Sequence, residues 1–179
     1  MSEPAALAPD RIADLLAASA TLILAELEAL GSDGGWRPEP GEWSANECVG
    51  HLIEAERRGF AGRIRRILAA DRPDIPADLE GWDPPAVAES RRDHLRSGAE
   101  LAAEFAAMRA DGVSLVRSLG PAEMDRVGIH PDVGPLRVDE LLGEWVHHDR
   151  NHARQLLAVT QARVWAQMGN ARRFSLEDF

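Results

Sequence analysis

The chain contains no lysine, no tyrosine and a single cysteine, Cys48. Each absence removes some chemistry. Without lysine there is no Schiff-base amine and no P-loop cation. Without tyrosine, acid–base work falls to histidine, carboxylates, the one thiol or bound water. One cysteine excludes an internal disulfide framework and fits a reducing cytoplasm. No apolar run is long enough to cross a bilayer, and the Met1 end lacks the basic start of a signal peptide, so no membrane partner is expected. Positive charge is scarce too. The formal net charge is −10, which argues against nucleic acid as a partner, because phosphate binding depends on clustered cations.

What is present suits one domain over residues 1–179, with 45% hydrophobic residues to build a core. Between 9 and 30, Ile12, Leu15, Leu16, Leu22, Ile23, Leu27 and Leu30 follow helical spacing, and Gly31 is a stop signal. Ser44 and Glu47 in "SANE" form a capping box for a second helix over 45–70, carrying Val49, Leu52, Phe60, Ile64 and Ile67. The proline-rich "DRPDIPADLEGWDPP" breaks regular structure, and a short helix opens near Arg91. A third helix over 98–119 buries Leu101, Phe105, Met108, Leu115 and Val116. "GIHPDVGPLR" reads as a turn-rich crossing into a fourth helix over 137–168, with Asp139 in its first turn and a tail at 169–179. Four long helices without strand pairs predict an all-α four-helix bundle, with long loops flanking the third helix.

The stretch "EWVHHDRNHARQLL" holds three of the six histidines. On the fourth helix, Val138, Leu141, Leu142, Trp145, Leu156 and Val159 form the apolar face. Helical steps place His148 and His152 on that inward stripe, one turn apart, while His147 is rotated by roughly 100° to its side. Two inward imidazoles are either buried polar groups with partners or metal ligands. "CVGHLIEAER" on the second helix offers a third, His51, flanked by the small residues Cys48, Ala55, Gly59 and Gly62. His51, His148 and His152 would make a three-histidine site with an open coordination position, as catalytic metal sites need. Two other metal motifs fit less well. "HDRNH" has Asp149 where the zinc-peptidase motif has glutamate, and "EWVH" lacks the second E-x-x-H of di-iron bundles.

With these residues in view, the chain resembles the DinB-like superfamily of bacterial four-helix-bundle metalloproteins. "PGEWSANECVGHLIEAER" is similar to that family's tryptophan–serine lead into its second helix and first metal histidine. "HHDRNHARQLL" is similar to its closing H-x-x-x-H-x-x-Q motif. The resemblance covers about 40–159 and implies His51, His148 and His152 as metal ligands, with His94, His130 and His147 outside the set. It also implies a zinc or nickel ion, use of a low-molecular-weight thiol by some members, and a homodimer.

The expected function is a metal-dependent hydrolase or thiol-dependent transferase acting on a small molecule. The alternative is a non-catalytic metal-binding or ligand-sensing bundle. Glu54 and Glu144 are candidate bases or groups that orient a histidine, against solvated surface carboxylates. Arg109 and Gln155 are candidate substrate-binding residues, the first against a structural ion pair, the second against an amide that orients a ligand or a simple helix-surface or interhelical hydrogen bond. Trp43 and Trp145 are read as bundle packing, and Cys48 as a fourth ligand or an inert buried thiol.

Overall fold

The computed structural model describes residues 6–70, 72 and 75–176. Its helices are α1 (Pro9–Leu30), α2 (Ala45–Glu54), α3 (Ala61–Leu68), α4 (Pro84–Arg91), α5 (Gly98–Arg117), α6 (Pro121–Met124), α7 (Val138–Trp165) and α8 (Arg173–Leu176). The strands are β1 (Ala77–Asp78), β2 (Val127–His130) and β3 (Gly134–Arg137). Four long rods, α1, the joined α2–α3, α5 and α7, form a four-helix bundle in which α1 and α2 each pack against both α5 and α7.

Local chemistry starts the rods where the sequence pattern expects. Ser44 Oγ accepts from the Glu47 amide at 3.2 Å, and Glu47 returns the bond to the Ser44 amide at 2.9 Å. Ser97 and Glu100 form the same box before α5. The helix expected to open near Arg91 instead ends there. Asp83 caps it, Pro84 occupies its first turn, and Arg92 stops it with φ +52°.

Two further expectations change. The crossing "GIHPDVGPLR" is a hairpin, β2 pairing antiparallel with β3, and β1 adds in parallel on the far side of β2. Strands of two to four residues carry too short an alternation to register in the sequence. Gly134 at φ +87°, just past the turn, is their clearest local mark.

The second helix is also not continuous. Over Ala55–Gly59 it widens into a π turn, closed by Phe60 N–H donating to the Ala55 carbonyl at 2.8 Å. The widened turn presses the Arg57 carbonyl against position 62, where a Cβ would overlap it, so Gly62 is required for close approach.

The core has two apolar clusters. One includes Leu16, Phe60, Ile64, Val116, Leu142 and Trp145; the other includes Ile23, Leu27, Ile53, Leu101, Phe105 and Leu156. Arg109 sits where they meet, its guanidinium 5.0 Å from the Phe105 ring and 5.7 Å from Trp145. It binds Asp149 in a bidentate pair at 2.6 and 3.0 Å, donates to the Leu16 carbonyl at 2.8 Å, and pairs with Glu56 through Nε. All three charged side chains are buried. Residues 71, 73 and 74 of the proline-rich loop, and 177–179 of the tail, lie outside the described residues.

Two carboxylates thus share one cation away from water. Burial outweighs Arg109 and pushes Glu56 up to about 7 from 4.5. The folded chain then holds a proton that the unfolded chain releases near 4.5, so this group's contribution to stability falls as pH rises from 4.5 towards 7. Glu56→Gln, which mimics the protonated form, is expected to cancel that decline in denaturant titrations run across this pH range. An unchanged pH slope would show that Glu56 ionises normally. Arg109→Met strands both carboxylates and is expected to cost about 3–5 kcal/mol by the same measurement.

Candidate metal centre

Residue His51 projects from the second turn of α2, and His148 and His152 from successive turns of α7, because spacing by four keeps a helical pair on one face. The three rings form a tight triangle, with centroids 4.4 Å apart for His148–His152, 4.5 Å for His51–His152 and 5.1 Å for His51–His148. Nε2 of His51 lies 3.0 Å from Nε2 of His148. That is close to the roughly 3.3 Å that separates two nitrogens each about 2.0 Å from a tetrahedral ion. Among the described residues this is the one cluster of metal-capable groups, its ligand atoms all within 4.8 Å of one another.

The donor chemistry fits a divalent cation. Nδ1 of His152 donates to Gln155 Oε1 at 2.9 Å, which leaves Nε2 as the ligand atom. Burial, then the neighbouring imidazoles, depresses His51 to about 4 and His148 to about 3 from 6.5, and burial also lowers His152. All three rings are therefore neutral at pH 7, the form that binds a metal. No described group takes up Nδ1 of His51 or of His148.

Cys48 does not join the cluster. Its thiol lies 3.5 Å from the His152 carbonyl oxygen and 3.7 Å from Nδ1, on the side of the ring that Gln155 occupies. Burial pushes this thiol up to about 12, so it stays protonated. With no fourth protein ligand among the described residues, three imidazoles would leave a coordination position free on a bound ion.

His51 and His148 also line a cavity of about 630 Å³ whose walls include Phe60, Trp82, Leu141 and Glu144. The Trp82 ring stacks on His51 at 5.8 Å and Trp43 on His152 at 6.3 Å. Trp43 therefore packs against the histidines themselves. Trp145, fully buried, stacks on Phe60 at 5.4 Å in the core.

The remaining sequence candidates separate. Glu144 lines the cavity, its side chain mostly exposed and its carboxylate 3.9 Å from Nδ1 of His147. Glu54 is not brought to the site. Its carboxylate is surrounded by Arg57, Arg58 at 2.6 Å and Arg91 at 2.7 Å, and it makes no hydrogen bond to His51.

Arg109 is not an open anion receptor either, because Asp149 and Glu56 already hold its guanidinium. Asp149, the residue at the glutamate position of "HDRNH", is fully buried on that arginine. His147 is exposed, His94 lies beside Glu47, and His130 beside Arg63. Trp82 escaped the sequence reading; its only signal was an aromatic residue inside a proline-rich loop.

Known proteins resemble this chain in sequence and in fold. A protein of Oceanobacillus iheyensis named "putative metal-dependent hydrolase" is 23% identical over 126 residues, covering 70% of this chain and 69% of its own. Among solved structures, YfiT of Bacillus subtilis superposes with a TM-score of 0.73 at 17% identity, over 89% of this chain and 92% of that one. Its structure is described as that of "a probable metal-dependent hydrolase with an unusual four-helix bundle topology". The likeness to YfiT establishes the shared fold. The DinB superfamily model matches residues 15–156, most of the chain, and the chain belongs to that superfamily.

Proposed function

We propose that this protein is a metal-dependent hydrolase of small molecules, with His51, His148 and His152 as the ligands of a zinc or nickel ion. The observation that carries the proposal is the convergence of three neutral imidazoles, two of which, those of His51 and His148, line an apolar cavity, with no fourth protein ligand among the described residues. The hydrolase class is supported by the names given to the Oceanobacillus iheyensis relative and to YfiT. A bound divalent ion would supply a Lewis acid that lowers the pKa of water, or of a low-molecular-weight thiol, at the free position.

The chain's own groups do the rest. Gln155 holds the His152 ring in one tautomer. Trp43, Trp82 and Phe60 pack around the imidazoles and reduce the water near them. Glu144, which lines the cavity, would serve as the base that takes a proton from the attacking nucleophile. The net charge of −10 favours a small-molecule substrate over nucleic acid, the single cysteine suits a cytoplasmic protein, and the likeness to the DinB superfamily implies a homodimer.

Protein purified without an affinity tag is expected to carry stoichiometric transition metal by elemental analysis. His148→Ala and His152→Ala are expected to lose it. Metal-free wild type, or full retention in both variants, would remove the proposal. Gln155→Ala is expected to weaken metal affinity by about 10–100-fold in competition with a chelator; equal affinity would show that Gln155 does not support the ligand. Turnover of ester or amide substrates without added thiol separates the hydrolase from a thiol-dependent transferase.

A further inference from the structure

Arg63 stands apart from its neighbours. On the same stretch of helix, Arg57 and Arg58 pair with Glu54, Arg65 with Asp111 at 2.6 Å, and Arg66 with Glu80 at 3.4 Å. Arg63 has no carboxylate within ion-pair distance among the described residues, in a chain with 30 acidic side chains. Its Nη2 lies 3.3 Å from the Glu80 carbonyl oxygen and 2.8 Å from Nε2 of His130, neither of which carries negative charge. Its Nε is buried without a partner. A half-buried guanidinium with an orphan donor is costly, and burial pulls its pKa down accordingly.

The same residue lines the cavity that His51 and His148 border. His51, Ala55, Gly59 and Arg63, each four residues after the last, all face it. The two small side chains leave the floor open between the imidazole end and the guanidinium end. Twelve residues of unbroken α-helix would span roughly 18 Å. The π turn at Ala55–Gly59 makes that an upper bound, and the arginine stem leans back towards the N-terminal end, shortening the gap further. Phe60, Trp82, Leu136 and Leu141 make the walls apolar. Two carboxylates also border the space. Glu140 accepts the Arg137 amide at 2.8 Å at the start of α7, and Glu144 is mostly exposed beside His147. Neither pairs with Arg63.

We propose that Arg63 is the substrate-recognition residue, and that the substrate is an elongated molecule with an apolar body and a terminal anionic group. The anion pairs with the Arg63 fork, filling the place that a carboxylate of the chain fills for the neighbouring arginines. The apolar body lies over Ala55 and Gly59, and the reacting group meets the three histidines. This inference rests on the metal-site reading above.

Two probes of equal length test both ideas. Octanohydroxamate and suberic acid monohydroxamate share a metal-binding head, and only the second ends in a carboxylate. In calorimetric titrations of zinc-loaded wild type, the carboxylate-ended probe is expected to bind about tenfold more tightly, the size of one charge-assisted contact. Arg63→Met is expected to erase that preference while leaving octanohydroxamate affinity and zinc content unchanged, and Arg63→Lys to keep part of it. No preference in wild type, which needs no variant to fold, overturns the assignment of Arg63. So does a preference that survives in Arg63→Met. If stripping zinc leaves the binding of both probes unaltered, the metal-site reading fails, and this inference with it.

Discussion

The Arg109 guanidinium is the interaction on which the rest of the structure depends. It lies on α5 and grips Asp149 on α7, Glu56 in the π turn after α2, and the Leu16 carbonyl of α1. One side chain thus touches all four rods of the bundle. Asp149 directly follows His148 in sequence, so the bidentate pair fixes the rotation of α7 next to the imidazole that must meet His51. A hydrophobic face alone sets helix phase only loosely, whereas a planar fork on a carboxylate tolerates little rotation. Buried ion pairs contribute little net stability, and in some proteins they act instead by fixing one arrangement of the packed elements. Here the arrangement specified is the one that brings the three histidines together.

The π turn belongs to the same arrangement. It supplies Glu56 to Arg109 and breaks the second rod at Gly59–Phe60, where Phe60 reaches both the Trp145 ring and the edge of His148. Beyond it the helix carries Arg63 along the cavity. An uninterrupted α-helix would give Phe60 and Arg63 a different phase relative to His51. The cavity is shaped by this irregularity as much as by the small residues that line it.

Legibility in the sequence followed the range of the interaction. The capping box at Ser44–Glu47, the extents of α1 and α5, and the inward phase of His148 and His152 depend on residues within a few positions of one another. They could be read directly. The pairing of Gln155 with His152 spans three residues, and its geometry was latent in "HARQ". Arg109 and Asp149 were visible as candidates for other roles, but nothing near either residue announces a partner 40 positions away. Trp82 and Arg63 were invisible as site residues, since one lies in a loop and the other among four ordinary surface arginines.

Residue order alone sets the periodicity of four helices and, through it, a pair of inward histidines one turn apart on the last. Helical phase is a local property, written every three to four residues. The meeting of that pair with His51, the release of Cys48 from the ligand set, the diversion of Glu54 and Arg109 into ion pairs, and the isolation of Arg63 beside the cavity were decided by tertiary structure. Each depends on which charge lies across a helix interface, and that is settled only when the rods pack and water is excluded between them.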